Sequence, residues 1–119
     1  MNALMASIAD ELERTRRVQL QASDPTASVW VSANAGTGKT HVLKMRVLRL
    51  LLSGVAPQKI LCLTYTKAAA SEMQNRLFRT LGAWAMRDDA ALRAALRELG
   101  EPGEAIPPDR LARARTLFA

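Results

Sequence analysis

The chain contains one cysteine, Cys62, and one histidine, His41. A single thiol excludes an intrachain disulfide framework and any cysteine-based zinc cluster, and it suits a reducing compartment. A lone histidine argues against a His-rich metal site and against a Ser/His hydrolase. Long apolar runs are also missing; none approaches the roughly 18 residues that a membrane span requires. Asp10, Glu11 and Glu13 follow a short apolar start, so the N-terminus has neither the basic region nor the apolar core of a signal peptide. The expected location is cytoplasmic, with no membrane partner. Acidic residues are the scarcer charge, 11 against 17 Lys+Arg, for a net charge of +6. That balance fits a polyanionic partner such as nucleic acid, although basic chains without one are common. With 119 residues, 49% of them hydrophobic, the chain has the composition of about one small folded domain.

The pattern along the chain predicts helix over residues 5–20, ending at the turn signal Asp24-Pro25. Residues 28–32 (SVWVS) are rich in β-formers and read as a strand. From Lys39 to Ser53 the apolar residues cover most of a helix's circumference and leave Lys44, Arg46 and Arg49 exposed; Gly54 ends it. Residues 60–64 (ILCLT) form a continuous apolar run of strand length, as in buried parallel strands. Ala70, Met73, Leu77, Leu81 and Trp84 then make a helical stripe. Asp88 and Asp89 open another helix ending at Gly100, residues 101–108 link, and Asp109–Phe118 is one more helix. Trp30, Trp84 and Cys62 read as core residues. The expected fold class is α/β, a parallel sheet with flanking helices. Two strands are too few for such a sheet, and the last helical pattern has no cap, so the chain reads as the opening part of a larger protein.

Between the first expected strand and its helix stands ANAGTGKT, residues 33–40, the phosphate-binding loop pattern with Ala33 in place of the usual first glycine. Gly36 and Gly38 let the backbone turn so that amides of Ala33, Asn34, Ala35, Gly36, Thr37 and Gly38 point at phosphate oxygens. The helix that follows adds the positive end of its dipole. Lys39 can reach the β and γ phosphates, and the Thr40 hydroxyl is a ligand for Mg²⁺. The plainer alternative is an ordinary glycine turn with a solvated lysine; the strand–loop–helix context favours the P-loop of a nucleotide-binding protein.

The second expected strand runs into Thr64, Tyr65, Thr66 and Lys67. In a parallel βαβ unit both strands end on the edge where ligands bind, which puts these residues near the loop. Tyr65 can stack on a base of single-stranded nucleic acid while the threonines and Lys67 hold phosphates. On composition alone a half-buried core tyrosine is the favoured reading.

The two motifs together, ANAGTGKT and then ILCLTYTKAAASEM, resemble those of the UvrD/Rep family of superfamily-1 DNA helicases. The run over residues 15–85 looks most like the AddA-type helicase–nuclease subunits of bacterial double-strand break repair, in their alphaproteobacterial form. The resemblance implies a RecA-like ATP-binding motor domain over residues 1–85, followed by the start of an inserted helical subdomain over 86–119. It implies ATP and Mg²⁺ as cofactors, single-stranded and duplex DNA as substrates, and an AddB-like partner subunit. Gln19, with Ala22, matches the glutamine that reads the adenine edge, although Gln21 stands close enough to compete. His41 stands where many relatives carry an arginine near the nucleotide. Tyr65 takes the position of a DNA-stacking phenylalanine, flanked by the matching Thr64 and Thr66. The family's acidic strand motif, sensor glutamine and γ-phosphate arginines are not recognisable here. Asp88-Asp89 follows no apolar strand and reads as a helix cap. The fragment alone is therefore expected to hydrolyse ATP poorly.

Two other readings compete. A small nucleotide kinase would need an acceptor lid with paired arginines, and Arg76, Arg79 and Arg87 sit on ordinary helix faces. A short non-enzymatic chain that binds nucleotide would have to leave parallel strand edges exposed.

Overall fold

A computed structural model of the chain describes residues 2–32, 38–101 and 106–119. Five α-helices follow one another: α1 (Ala3–Ala22), α2 (Lys39–Leu52), α3 (Lys67–Met86), α4 (Asp89–Glu98) and α5 (Pro108–Thr116), with a 3-10 turn at Pro57–Lys59. Three of the helix starts carry side-chain caps: Asn2 accepts from the Met5 amide, Thr66 from Ala69 and Asp88 from Ala91. The Asp88 carboxylate is thus the cap that its sequence position implies. Two helices end in the same way. Gly54 at φ 103° and Gly100 at φ 101° turn the chain left-handed. The following amides, of Val55 and Glu101, bond back to the carbonyls of Leu50 and Leu96.

The core lies among α2, α3, α4 and α5. Leu48, Leu52, Leu92 and Leu96 are fully buried and pack with Met45, Leu81, Trp84, Ile106, Leu111 and Ala114. Each such leucine contributes about 1.5–3 kcal/mol by leaving water. The α3 stripe is buried only towards its end: Leu81 and Trp84 are buried, Met73 and Leu77 half-buried, and Ala70 exposed. Helix α1 buries none of its residues and joins the core only through Leu20, so a further device must hold it in place.

The α/β parallel-sheet expectation is corrected: among the described residues there is no strand, and the architecture is helical. A strand exists only where a neighbour receives its amides and carbonyls, and no ladder joins residues 28–32 to residues 60–64. Each segment lies instead beside helices. Val29 and Val31 line a cavity with Ala22 and Val42, whereas Cys62 and Thr64 line another with Ala70 and Leu77. Without a partner strand, their apolar side chains stay open to water, Leu61 and Leu63 at 81% and 83% exposure. For the same reason Trp30, at 92%, and Cys62 are exposed, against their reading as core; Trp84, at 3%, is core as expected.

Candidate functional site

Helix α2 begins at Lys39 directly after Gly38, which adopts φ 96° and has no side chain to cap the helix. The first-turn amides of α2 therefore have no side-chain cap, the arrangement that lets a helix N-terminus receive an anion. Lys39 and Thr40 stand exposed at this end. Ala33, Asn34, Ala35, Gly36 and Thr37, the rest of the expected phosphate loop, lie outside the described residues.

Gln19 of α1 comes right up to this helix start. A Cβ added to Gly38 would lie 2.7 Å from the Gln19 amide nitrogen. Gln19, Gly38 and Lys39 thus line one cavity of about 250 Å³, together with Arg14. The neighbouring Gln21 is exposed.

Two arginines of α2 bring α1 to this position. Arg49 donates to the Leu20 carbonyl at 3.0 Å and to the hydroxyl of fully buried Ser23 at 2.9 Å. Arg46 donates to the Asp24 carbonyl at 2.8 Å and to the Ala27 carbonyl. Both are half-buried, which corrects the expectation that they are exposed. Helix α1 has no basic residue in its last turn, so α2 supplies the positive charge that its carbonyl end attracts. An uncompensated helix end followed by a basic helix face was the available signal in the sequence.

His41 follows Thr40 on α2. Partial burial holds its pKa below the usual histidine value, and the charges of Lys44 and Arg76 push the same way. The imidazole is thus held towards its neutral form. Arg76 itself is bound to Glu72 at 2.7 Å, one turn back on α3, rather than offered to an acceptor substrate.

The second motif stands at the start of α3. Thr64, Tyr65, Thr66 and Lys67 are all exposed, Tyr65 completely, which removes the half-buried reading of that ring. The Thr66 hydroxyl caps α3, accepting from the Ala69 amide at 3.0 Å. Thr64 and Thr40 line the same cavity of about 340 Å³ between the extended segment and helices α2 and α3. Among the described residues no group of three or more His, Cys, Asp or Glu side chains could hold a metal ion. No described helix is long and apolar enough to cross a membrane.

The model of the UvrD/REP helicase N-terminal domain matches residues 14–99. The ATP-dependent helicase/nuclease protein AddA of Lactobacillus gasseri is 49% identical over 55 residues, covering 46% of this chain and 5% of that protein. The protein of the same name from Levilactobacillus brevis is 45% identical over 74 residues, covering 60% of this chain and 6% of that one. In Enterococcus faecalis the figures for the same-named protein are 48% over 54 residues, 45% and 4%. The matches thus span about one twentieth of the length of these relatives. No solved structure matches the chain. The family match takes in Gln19, the loop to Thr40 and the segment from Thr64 to Lys67 in one continuous stretch, and on it the chain belongs to the UvrD/REP helicase N-terminal domain family.

Proposed function

We propose that this chain is the N-terminal part of an ATP-dependent DNA helicase of the AddA helicase/nuclease type, with a role in double-strand break repair. The observation that carries the reading is the single family match over residues 14–99, which holds both motifs in order. ATP phosphates bind at the start of α2, with the loop from Ala33 to Gly38 as the amide cradle and Lys39 as the point charge. Gln19 lies against Gly38 and faces the base, and His41, held neutral, adds no positive charge beside the phosphates. The donor set fits this ligand: an uncapped helix start, an exposed lysine and an exposed hydroxyl. Thr40 is the side chain that would hold Mg²⁺, whose chemistry is to neutralise charge on the phosphate oxygens.

Single-stranded DNA binds at Thr64, Tyr65, Thr66 and Lys67. Tyr65 is the stacking platform, and Thr66 positions the helix start beside it through its cap. The cavity shared by Thr40 and Thr64 supports coupling between the two ligands. In the whole protein, residues 1–85 belong to the ATP-binding motor and residues 86–119 begin an inserted helical part. An AddB-like protein is its partner, duplex DNA its substrate and the cytoplasm its location.

Titration of a labelled single strand tests the DNA half of this reading. Tyr65→Ala is expected to weaken binding about 5- to 150-fold, the equivalent of one stacked base at about 1–3 kcal/mol. Since Tyr65 is fully exposed, the fold should be unaffected, and unchanged affinity would remove Tyr65 from the DNA site.

A further inference from the structure

Below the helix start, on another face of α2, lies a cleft of about 620 Å³ bounded by α1, α2, α3 and α4. Its inner wall is apolar, with Leu20, Met45, Leu48, Trp84 and Leu99 contributing core side chains. Its other residues are predominantly basic: Arg16 from α1, His41 and Lys44 from α2, and Arg87 from the end of α3. Glu98 of α4 is the one acidic residue among those lining it. Among the described residues, Arg16, Lys44 and Arg87 take part in no ion pair. Three unpaired cations drawn from three separate elements around one apolar-walled cleft repel one another, and an anion placed between them relieves that repulsion.

The cleft is not the loop site. Gln19 and His41 line it, but neither Lys39 nor Thr40 does. It reaches Leu48, nine residues along α2 from Lys39, about 13 Å at the rise of an α-helix. Its volume lies in the range of small-molecule sites, about 300–1,000 Å³.

We propose that this cleft is a second anion site, taking a phosphate-bearing ligand between Arg16, Lys44 and Arg87. The shared chemistry is the phosphate group, supplied either by a free small molecule or by a nucleic-acid backbone. His41 reports on occupancy. It is the sole histidine, so its imidazole proton signal is unambiguous in an NMR titration. Lys44 and Arg76 depress its pKa, and Glu98 is the acidic group that lines the same cleft. A bound phosphate would offset those positive charges and raise the His41 pKa, by about 0.5 or more.

The titration is run in phosphate-free buffer with inorganic pyrophosphate and, separately, with a short single-stranded oligothymidylate. Wild type, Lys39→Ala and the double variant Arg16→Gln/Arg87→Gln are compared. The two arginines are exposed, so the double variant should keep its helix content by circular dichroism. The expected result is a ligand-induced rise in wild type and in Lys39→Ala that is absent from the double variant. A response to pyrophosphate assigns the site to free phosphates, and a response to the oligonucleotide alone assigns it to a DNA backbone. A rise that disappears in Lys39→Ala would mean that the phosphate sits at the loop. That outcome overturns the second site, as does an unaltered response in the double variant or no response to either probe. Loss of ATP binding at the loop would leave this result untouched, so the two proposals fail separately.

Discussion

His41 is more neutral in the folded chain than in the unfolded one, because burial and two nearby cations oppose its protonation. The sign of its effect on stability follows. Above the ordinary value of 6.5 both states carry a neutral imidazole. As pH falls below 6.5 the unfolded chain takes up the proton first, so stability is lost progressively until the folded imidazole also titrates. Urea unfolding should therefore show stability falling from pH 7 towards pH 5 in wild type, with a shallower slope in His41→Gln. Asp24 and Asp89 do not confuse that window. Both are held below the carboxylate value of 3.8, Asp24 chiefly by the Thr26 amide and Asp89 chiefly by a hydrogen bond from Arg115, so their contributions go only at lower pH. At this scale much was legible: the Asp88 cap, the left-handed turn at Gly54 and the burial of Trp84 each follow from local chemistry. The exposure of Trp30 and Cys62 was not, because it depends on what stands opposite them in space.

At the scale of elements, α1 shows why helix prediction and helix placement differ. Its span of residues 3–22 is close to the expected 5–20, yet the helix has almost no buried apolar face. Arg49 and Arg46 hold it by its carbonyl end. Arg49→Ala removes a donor to the Leu20 carbonyl and leaves buried Ser23 without that partner. A loss of about 1.5–3 kcal/mol is expected in urea unfolding, the usual cost of a hydrogen bond to a charged group. In Ser23→Ala the same arginine substitution should cost less, because the two residues share one bond. If the cycle is additive, Arg49 does not hold α1 through Ser23. The helix spans were readable because 3.6-residue periodicity and caps are local signals. The two expected strands were not, since the apolar runs at 28–32 and 60–64 specify burial but not a partner to pair with. In the structure each meets helices instead.

Across the whole molecule, the surfaces of α2 near its start divide three ways. Lys39 and Gly38 meet Gln19, Thr40 meets the segment carrying Thr64, and His41 with Lys44 meets the basic cleft. One helix thus stands between the adenine-facing glutamine, the DNA-facing motif and a second group of cations. The net charge of +6 helps draw polyanions towards all three. The grouping of Gln19 with the loop end was legible only through the family resemblance, since nothing in periodicity or charge brings residue 19 to residue 38. The Arg46–Arg49 clasp supplies the physical cause.

ATP binding at the start of α2 is the claim on which the motor reading stands. Its most direct measurement is equilibrium binding of a fluorescent ATP analogue with Mg²⁺ to wild type and to Lys39→Ala, with helix content checked in both. Saturable binding by wild type, weakened about 10- to 150-fold in Lys39→Ala, is the result expected from losing one charge-assisted contact to phosphate, about 1.5–3 kcal/mol. Equal affinity in the two proteins would mean that the nucleotide does not sit at the start of α2, and the assignment of Lys39 and Thr40 would fall with it.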